Sequence, residues 1–349
     1  MARNEESPPD SPIKQTGTLK LEPWTHLAHG LRSQLRPDGT LRISPLGDEF
    51  GIQFEGITPE KFANIIVSAE LLIVGSEVFE TRTRERIEWM SAAAFESADK
   101  YGQAPERVWG QISHRAKLEK NKRAADITES IRFHVLASDI SLRRISESYH
   151  ALQLHAHRTK LPVGHGFGTL GDFDLYHDVH SFFVNLGSLR DYLALFASEF
   201  ILHVEPCDTH SGLLRKIKGN NAPAAEVIRE FSNKEIKPIG LAGIGEYRDI
   251  VVHRSPVGQL SEWIEVEALG PPFSEYGGVT LRLPGNPFDL KGEQVDALVI
   301  AHHALCAMCD YAQRLAAHSP IRPHMPHFTV QDGKLVEVLP KDLKGTPIA

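Results

Sequence analysis

The stretch "LYHDVHSFFVNLGSLRDYLALFASEF", residues 175–200, decides the fold class of this chain. Its large apolar residues recur at steps of three and four positions. They are Leu175, Val179, Phe182, Leu186, Leu189, Leu193, Phe196 and Phe200. This spacing places all of them on one face of an α-helix. We therefore predict a helix over about residues 175–203, long enough to be the central helix of a bundle.

Segments on both sides of this stretch also have helical spacing or helix-end signals. They are about Asp126–Thr159, "GLLRKIKG", "APAAEVIREFSN", "IGLAGIGEYRDIVVH" and Glu293–His318. Nearer the N-terminus, Thr58 is a suitable N-cap and Pro59 fits the first helical position. From there we predict helical structure through Ile73 and, with breaks near residues 102–105, on to Arg123.

Short runs of alternating apolar and polar residues predict a few β-strands. They are Thr40–Ser44, Phe50–Phe54, Glu262–Leu269 and Gly278–Leu283. In "FTVQDGKLVEVL", Asp332-Gly333 between alternating apolar residues is typical of a tight hairpin turn. Because strands and helices do not alternate, a parallel sheet is not expected. The predicted fold class is mainly α, a helical bundle with small β-hairpin additions.

These patterns divide the chain into four regions. Residues 1–20 are polar and rich in proline and serine, which predicts a disordered tail. Residues 21–135 predict a mostly helical region with a small hairpin of Thr40–Ser44 and Phe50–Phe54, and residues 136–320 predict the helical bundle. Residues 321–349 predict a C-terminal hairpin and tail.

Composition narrows the classes of function. The chain of 349 residues has a net charge of −7 and only three cysteines. Sparse cysteines favour a reducing compartment, and the most apolar run, residues 63–75, is too short to span a bilayer. We therefore expect a cytoplasmic protein that does not bind membranes.

An acidic chain needs a local basic patch if it is to bind nucleic acid. Two stretches are candidates, "HRAKLEKNKR" at His114–Arg123 and "LLRKIK" at Leu213–Lys218. A stretch of this kind is also typical of a solvated helix face or loop, so both interpretations stay open.

The stretch "YRDIVVHRSP", residues 247–256, combines residues that can cleave RNA. An arginine can hold a phosphate through two parallel hydrogen bonds, and a histidine can take a proton from a ribose 2′-hydroxyl. In a helix, Asp249 and His253 lie four residues apart and can touch. Arg248 and His253 lie about 140° apart around the axis, so they converge only where the helix ends or distorts, or across a dimer. Ser255-Pro256 predicts such an ending.

At these residues the chain resembles a known family. "R-D-I-V-V-H" resembles the R-x4-H motif of the HEPN superfamily, whose helical domains often cleave RNA. The resemblance implies a HEPN-like bundle over about Ala137–His318 and a homodimer whose two motifs face one cleft. It implies Arg248 and His253 as the catalytic pair and Asp249 as their support, with no cofactor and no metal. It also implies a metal-independent endoribonuclease, in stress or phage defence.

Two other functions stay open. The first is a non-catalytic HEPN-like binding or scaffold protein, in which Arg248 forms a buried ion pair. The second is a His/carboxylate metallo-bundle that uses Glu147 with His150 and Asp174 with His177.

Two further histidine-containing stretches invite other interpretations. In "HHALCAMC", His302, Cys306 and Cys309 share a helix face that also indicates core packing. In "RPHMPH", Arg322 and His327 repeat the arginine-to-histidine spacing, but the prolines exclude a helix.

Overall fold

The computed structural model describes most of the chain. The described residues are 21–36, 38–44, 52–69, 71–80, 85–169, 171–253, 264–271, 273–274, 277–284, 294–331 and 334–338. The expected disordered tail at residues 1–20 and the Asp332-Gly333 turn lie outside them.

The N-terminal part of the chain forms an antiparallel sheet. Its strands are β1 (Leu21–Leu27), β2 (Arg32–Leu35), β3 (Leu41–Ser44), β4 (Ile52–Phe54), β5 (Ile73–Glu80) and β6 (Arg86–Ser91). They lie in the order β4-β3-β2-β1-β5-β6. The predicted pairing of β3 with β4 is confirmed, with Leu41 opposite Phe54.

Helix α1 (Pro59–Ser68) begins where the sequence predicts, because the Thr58 hydroxyl accepts a hydrogen bond from the Lys61 amide. The predicted continuation of helix through Ile73 is wrong, since that residue begins strand β5. Strand β5 pairs with β1 from Leu27 opposite Ile73 to Leu21 opposite Glu80, with one register shift between His26 and Leu27. This ladder satisfies the backbone, and an apolar run of this length does not by itself distinguish a buried strand from a helix.

Helices dominate the rest of the chain. They are α2 (Ala92–Tyr101), α3 (Pro105–Leu118), α4 (Lys122–Arg158), α5 (Asp172–Phe196), α6 (His210–Lys216), α7 (Pro223–Ser232), α8 (Leu241–His253) and α9 (Ala297–Ala316). More than half of the described residues lie in helices, which confirms the mainly α fold class. The region boundary expected between residues 135 and 136 falls inside α4.

Helix α5 is the central helix that its apolar spacing predicts. Its side chains from Leu175 to Phe196 along the predicted stripe are fully buried, and a π-helical turn at Ala197–Ile201 extends it. Helix α4 packs along α5, and α8 and α9 also pack against α5. The main hydrophobic core therefore lies among these four helices and α3.

A second antiparallel sheet covers part of this core. Its strands are β7 (Gly166–Phe167), β8 (Ile264–Glu267), β9 (Gly278–Pro284) and β10 (Gln294–Asp296), in the order β10-β9-β8-β7. The buried Tyr149 hydroxyl accepts from the amides of Leu281 and Leu298, and it donates to Asp296 Oδ2 at 2.8 Å. This one side chain on α4 therefore ties the sheet to the start of α9.

Strands β11 (Phe328–Gln331) and β12 (Lys334–Glu337) form a separate two-stranded hairpin near the C-terminus. The predicted β-structure of "FTVQDGKLVEVL" is thus confirmed on both sides of the turn. The sheets are larger than the small additions expected, because β1, β2, β5 and β6 extend the first hairpin to six strands. None of the described helices is both long and apolar enough to cross a bilayer.

Candidate functional site

Arg248 lies on α8 where that helix packs against α5. The neighbouring Tyr247 is buried, and its ring stacks on Phe183 of α5 with centroids 4.6 Å apart. A Cβ atom on Gly187 would lie only 2.8 Å from Arg248 Cγ, so the glycine provides the space in which the arginine stem lies. The aliphatic part of Arg248 is therefore anchored against α5.

The same helix pair contains a reciprocal contact. A Cβ atom on Gly245 of α8 would overlap the guanidinium of Arg190 from α5. That guanidinium donates from Nη1 to the Leu241 carbonyl at 3.3 Å. Each helix thus places an arginine over a glycine of the other, and the two contacts fix the relative position of α5 and α8.

The guanidinium of Arg248 reaches the surface. Its Nη1 lies 3.2 Å from Asp249 Oδ1, and the two side chains are 36% and 57% exposed. An exposed pair of this kind contributes at most about 1 kcal/mol, so an incoming anion can replace the carboxylate at low cost. Arg248 is therefore not held in the buried ion pair that a scaffold role predicts.

His253 is the last residue of α8, and its side chain lies outside the described part of the structure. Arg248, Asp249 and His253 lie on one helix, as predicted. The helix end predicted at Ser255-Pro256 lies outside the described residues. Arg248 and Asp249 meet because they are adjacent. The relation of either side chain to the imidazole of His253 stays a prediction.

Both basic stretches are partly neutralised by carboxylates. In the first, Lys117 lies 3.5 Å from Glu129, and Arg123 lies 3.2 Å from Glu199. In the second, Lys216 lies 2.6 Å from Glu205. These pairs favour the interpretation of both stretches as solvated helix faces.

A cavity of about 530 Å³ was not predicted from the sequence. It lies between α2, α9 and residues 237–239. Lys100 donates to Asp310 Oδ1 at 2.7 Å, and the Tyr101 hydroxyl donates to the same oxygen. Burial alone would raise the pKa of Asp310, but these hydrogen bonds hold it below its ordinary value. No spacing in the sequence links α2 to α9, so only the fold reveals this cavity.

A serine, a histidine and a glutamate also line up between β1, β5 and α4. The Ser146 hydroxyl lies 2.9 Å from His26 Nδ1, and His26 Nε2 lies 2.8 Å from Glu77 Oε1. Burial lowers the pKa of His26, which favours the neutral ring. A neutral ring with its proton on Nε2 faces that proton to the carboxylate and accepts at Nδ1 from the Ser146 hydroxyl. All three side chains are buried, so substrate cannot reach this nucleophile-like arrangement.

Two arginines complete this cluster. Arg32 Nη1 lies 3.2 Å from Glu77 Oε1, and Arg86 Nε lies 2.8 Å from Oε2. Burial alone would raise the pKa of Glu77, but the close contact with His26 Nε2 and the charges of Arg32 and Arg86 lower it to about 2. Arg86 also contacts Glu147 of α4. We name His26, Arg32, Glu77, Arg86 and Ser146 the sheet–helix cluster, because it joins the N-terminal sheet to α4.

The residues expected in a metallo-bundle are partly engaged elsewhere. Glu147 contacts Arg86, and His150 Nδ1 donates to the Gly30 carbonyl at 2.8 Å. Asp174 and His177 lie beside Glu147 around a shallow surface depression. Within the described part of the chain, these four side chains do not converge on one point as metal ligands would.

The face of α9 that contains His302, Cys306 and Cys309 belongs mostly to the core. His302 Nε2 lies 3.5 Å from Cys306 Sγ, while His302 and Cys309 are buried. Burial raises the pKa of Cys306 to about 12, which keeps the thiol protonated near neutral pH. A protonated thiol is a poor nucleophile and metal ligand.

A scan of the sequence against protein-family models found no match. Searches of the curated proteins and of the solved structures also found none.

Proposed function

We propose that this protein is a metal-independent endoribonuclease of HEPN type in which Arg248 holds the phosphate of the RNA. The observation that carries the proposal is the position of the Arg248 guanidinium. Its stem is anchored over Gly187, while its charged end is 36% exposed and has an exposed carboxylate as its neighbour. A fixed stem with an accessible charge is what phosphate binding requires.

The surrounding helices support a HEPN-like bundle. Helices α4, α5, α8 and α9 pack on one another, with α5 in contact with the other three. The R-D-I-V-V-H motif lies at the C-terminal end of α8. The two longest helices, α4 and α5, pack along each other, and α8 and α9 both pack on α5.

The proposed reaction transfers a phosphoryl group within the RNA. His253 takes the proton of a ribose 2′-hydroxyl, the 2′-oxygen bonds to the adjacent phosphorus, and the bond to the 5′-oxygen breaks. The products are a 2′,3′-cyclic phosphate and a 5′-hydroxyl, which receives its proton from the second His253 of a homodimer. Arg248 stabilises the charge that develops on the phosphate oxygens, and Asp249 orients His253.

The test uses purified full-length protein and a labelled mixture of tRNA and mRNA in the presence of EDTA. Arg248→Ala and His253→Ala are compared with wild type and with Arg158→Ala, which removes an exposed arginine from the end of α4. We expect cleavage with cyclic phosphate ends for wild type and Arg158→Ala. For the two motif variants, we expect a loss of about 100-fold or more.

Two results contradict the proposal. One is the lack of any cleavage by wild type on either RNA class, and the other is equal cleavage by all four proteins. Light scattering of the same preparations tests the homodimer separately, since a monomer at assay concentration removes the second His253 from the reaction.

A non-catalytic binding or scaffold protein is the second candidate function. The hairpin β11–β12 favours it, because Phe328, Val330 and Leu335 are 53%, 70% and 74% exposed. Register places these three side chains on the same face of the hairpin. Exposed apolar patches of this kind are typical of sites that contact another macromolecule. The scaffold role predicts normal assembly by Arg248→Ala and no RNA cleavage by wild type.

A further inference from the structure

Three side chains that are distant in sequence converge beside the C-terminal hairpin. His114 Nε2 of α3 lies 2.5 Å from Glu337 Oε1 of β12, and His324 Nε2 lies 3.3 Å from the same oxygen. We propose that His114, His324 and Glu337 bind one divalent transition-metal ion, zinc by the type of its ligands. The ion fastens the hairpin β11–β12 to α3.

The donor atoms have nearly the spacing that zinc requires. All three lie within 4.8 Å of one another. A tetrahedral zinc ion with ligands at about 2.0–2.2 Å separates neighbouring ligand atoms by about 3.3–3.5 Å. The His324–Glu337 distance already has this value, and the His114–Glu337 distance must open by about 1 Å. Two imidazoles and one carboxylate are a common protein ligand set for zinc, with water in the fourth position.

Both histidines present the same ring nitrogen to the same acceptor. Nε2 of His114 and Nε2 of His324 lie 2.5 Å and 3.3 Å from Glu337 Oε1. The two rings lie side by side, with centroids 5.6 Å apart. If hydrogen bonds alone join these groups, Nε2 of each histidine must carry a proton to face the carboxylate oxygen. One metal ion replaces both protons and satisfies all three ligands at once.

The backbone holds these ligands together independently of their side chains. The His324 amide donates to the carbonyl of Gln111 at 3.3 Å, one helical turn before His114. The Val338 amide donates to the carbonyl of His327 at 2.7 Å, which closes the base of the hairpin next to Glu337. The side chains of His114, His324 and Glu337 are 28%, 17% and 19% exposed, so a water molecule can reach the fourth position.

The hairpin has a physical need for such an attachment. An isolated two-stranded hairpin is at best marginally stable in water. This hairpin has only four cross-strand residue pairs. Its apolar residues remain exposed, so apolar burial contributes little to holding it in place. A metal ion bound by both Glu337 and His114 of α3 would stabilise the hairpin without a hydrophobic core.

Convergence separates this site from the other histidines of the chain. Among the described residues, His114, His324 and Glu337 are the one group of three potential ligands that meet in this way. They come from α3, from the segment after α9 and from β12. The site is distinct from Arg248, so its test does not depend on RNA cleavage.

The experiment measures zinc binding by the full-length protein after chelator treatment and dialysis. Calorimetric titration with zinc gives stoichiometry and affinity, and cobalt(II) substitution gives the visible absorption of a four-coordinate ion. His324→Ala and Glu337→Gln remove ligands. His327→Ala is the matched control, because it removes an exposed imidazole three residues from His324. Circular dichroism verifies that each variant is folded.

We expect wild type and His327→Ala to bind one zinc ion per chain with the same affinity. Folded His324→Ala and Glu337→Gln bind zinc at least about tenfold more weakly. Removing a group that only hydrogen-bonds to a metal ligand already lowers affinity by about that much, and removing the ligand itself costs at least as much. Zinc addition slows hydrogen exchange over residues 328–337 in wild type and in His327→Ala. It does not slow exchange in His324→Ala or Glu337→Gln. Equal binding by all four proteins, or no binding by wild type, overturns the proposal.

Discussion

The sheet–helix cluster and the Arg248–Asp249 pair use the same kinds of residue in opposite environments. Glu77 has no exposed side-chain surface and contacts one histidine and two arginines. Asp249 is 57% exposed and contacts the arginine next to it. The first arrangement resembles a catalytic triad but excludes substrate, while the second is simple and open. Access to solvent, more than residue type, separates a structural cluster from a candidate site.

The two regions also differ in what they contribute to stability. Removing one partner from a buried ion pair leaves an uncompensated charge and costs about 3–5 kcal/mol. An exposed pair contributes about 0–1 kcal/mol, because water and salt screen both charges. Mutations in the sheet–helix cluster should therefore lower stability by several kcal/mol more than mutations of the Arg248–Asp249 pair.

The largest effect is expected from Glu77→Gln, which leaves Arg32 and Arg86 facing a neutral amide. We expect the free energy of unfolding to fall by about 3–5 kcal/mol, measured by urea denaturation. Glu235→Gln changes an exposed carboxylate and should alter it by less than about 0.5 kcal/mol. Similar effects of the two substitutions would show that burial of the sheet–helix cluster has no special energetic weight.

The pH dependence of stability sharpens the same contrast. Burial lowers the pKa of His150 to about 4 and that of His210 to about 3. Because these folded pKa values lie below that of an unfolded histidine, the unfolded chain binds more protons. Stability should therefore fall as pH drops from about 6.5 to about 4.

The size of this effect can be isolated with one substitution. Replacing His210 by Gln should reduce the slope of unfolding free energy against pH by about 1.4 kcal/mol per pH unit in that window. His177→Gln removes an exposed imidazole and is the matched control. A variant slope equal to that of wild type would mean that His210 is protonated in the folded protein.

An intermediate effect is expected where α5 and α8 touch. Gly187→Ala places a Cβ 2.8 Å from Arg248 Cγ, which must displace the arginine stem. Overpacking of this kind costs about 1–3 kcal/mol, against a gain of about 1 kcal/mol in helix propensity. In an Arg248→Ala background only the 3.3 Å contact with the Cβ of residue 248 remains, so the same substitution should cost much less. Additive effects in this double-mutant cycle would contradict the contact.

The smallest effect on stability is expected from Arg248→Ala itself. The lost surface pair and stem contact should cost about 1 kcal/mol or less in urea unfolding. Asp249→Asn removes the same pair without changing the stem, so the difference between the two variants measures the stem alone. A loss near that of Glu77→Gln would make Arg248 a structural residue and abolish its contrast with the sheet–helix cluster.

Local signals predicted several elements well. The stripe of α5, the cap at Thr58 and the bounds of α7 depend on neighbours within one or two helical turns. Strand β5 was mistaken for helix because its identity depends on β1, almost fifty residues earlier in the chain. The N-terminal sheet was therefore underestimated.

The sites divide in the same way. Arg248 and Asp249 were found because they are adjacent in a short motif. The sheet–helix cluster, the cavity beside Asp310 and the trio at Glu337 each join segments distant in sequence. No spacing rule connects such segments, so these groups became visible only in the fold.

The sequence by itself determined the mainly helical class, the central helix and the helix that contains Arg248. Helical periodicity, capping and helix-breaking residues act over a few residues and can be read directly. Only the tertiary structure decided that His26 and Glu77 are buried, that Arg248 rests on Gly187 with its charge exposed, and that two histidines meet Glu337. Burial and convergence depend on how distant segments pack, and this packing sets both desolvation and access to solvent.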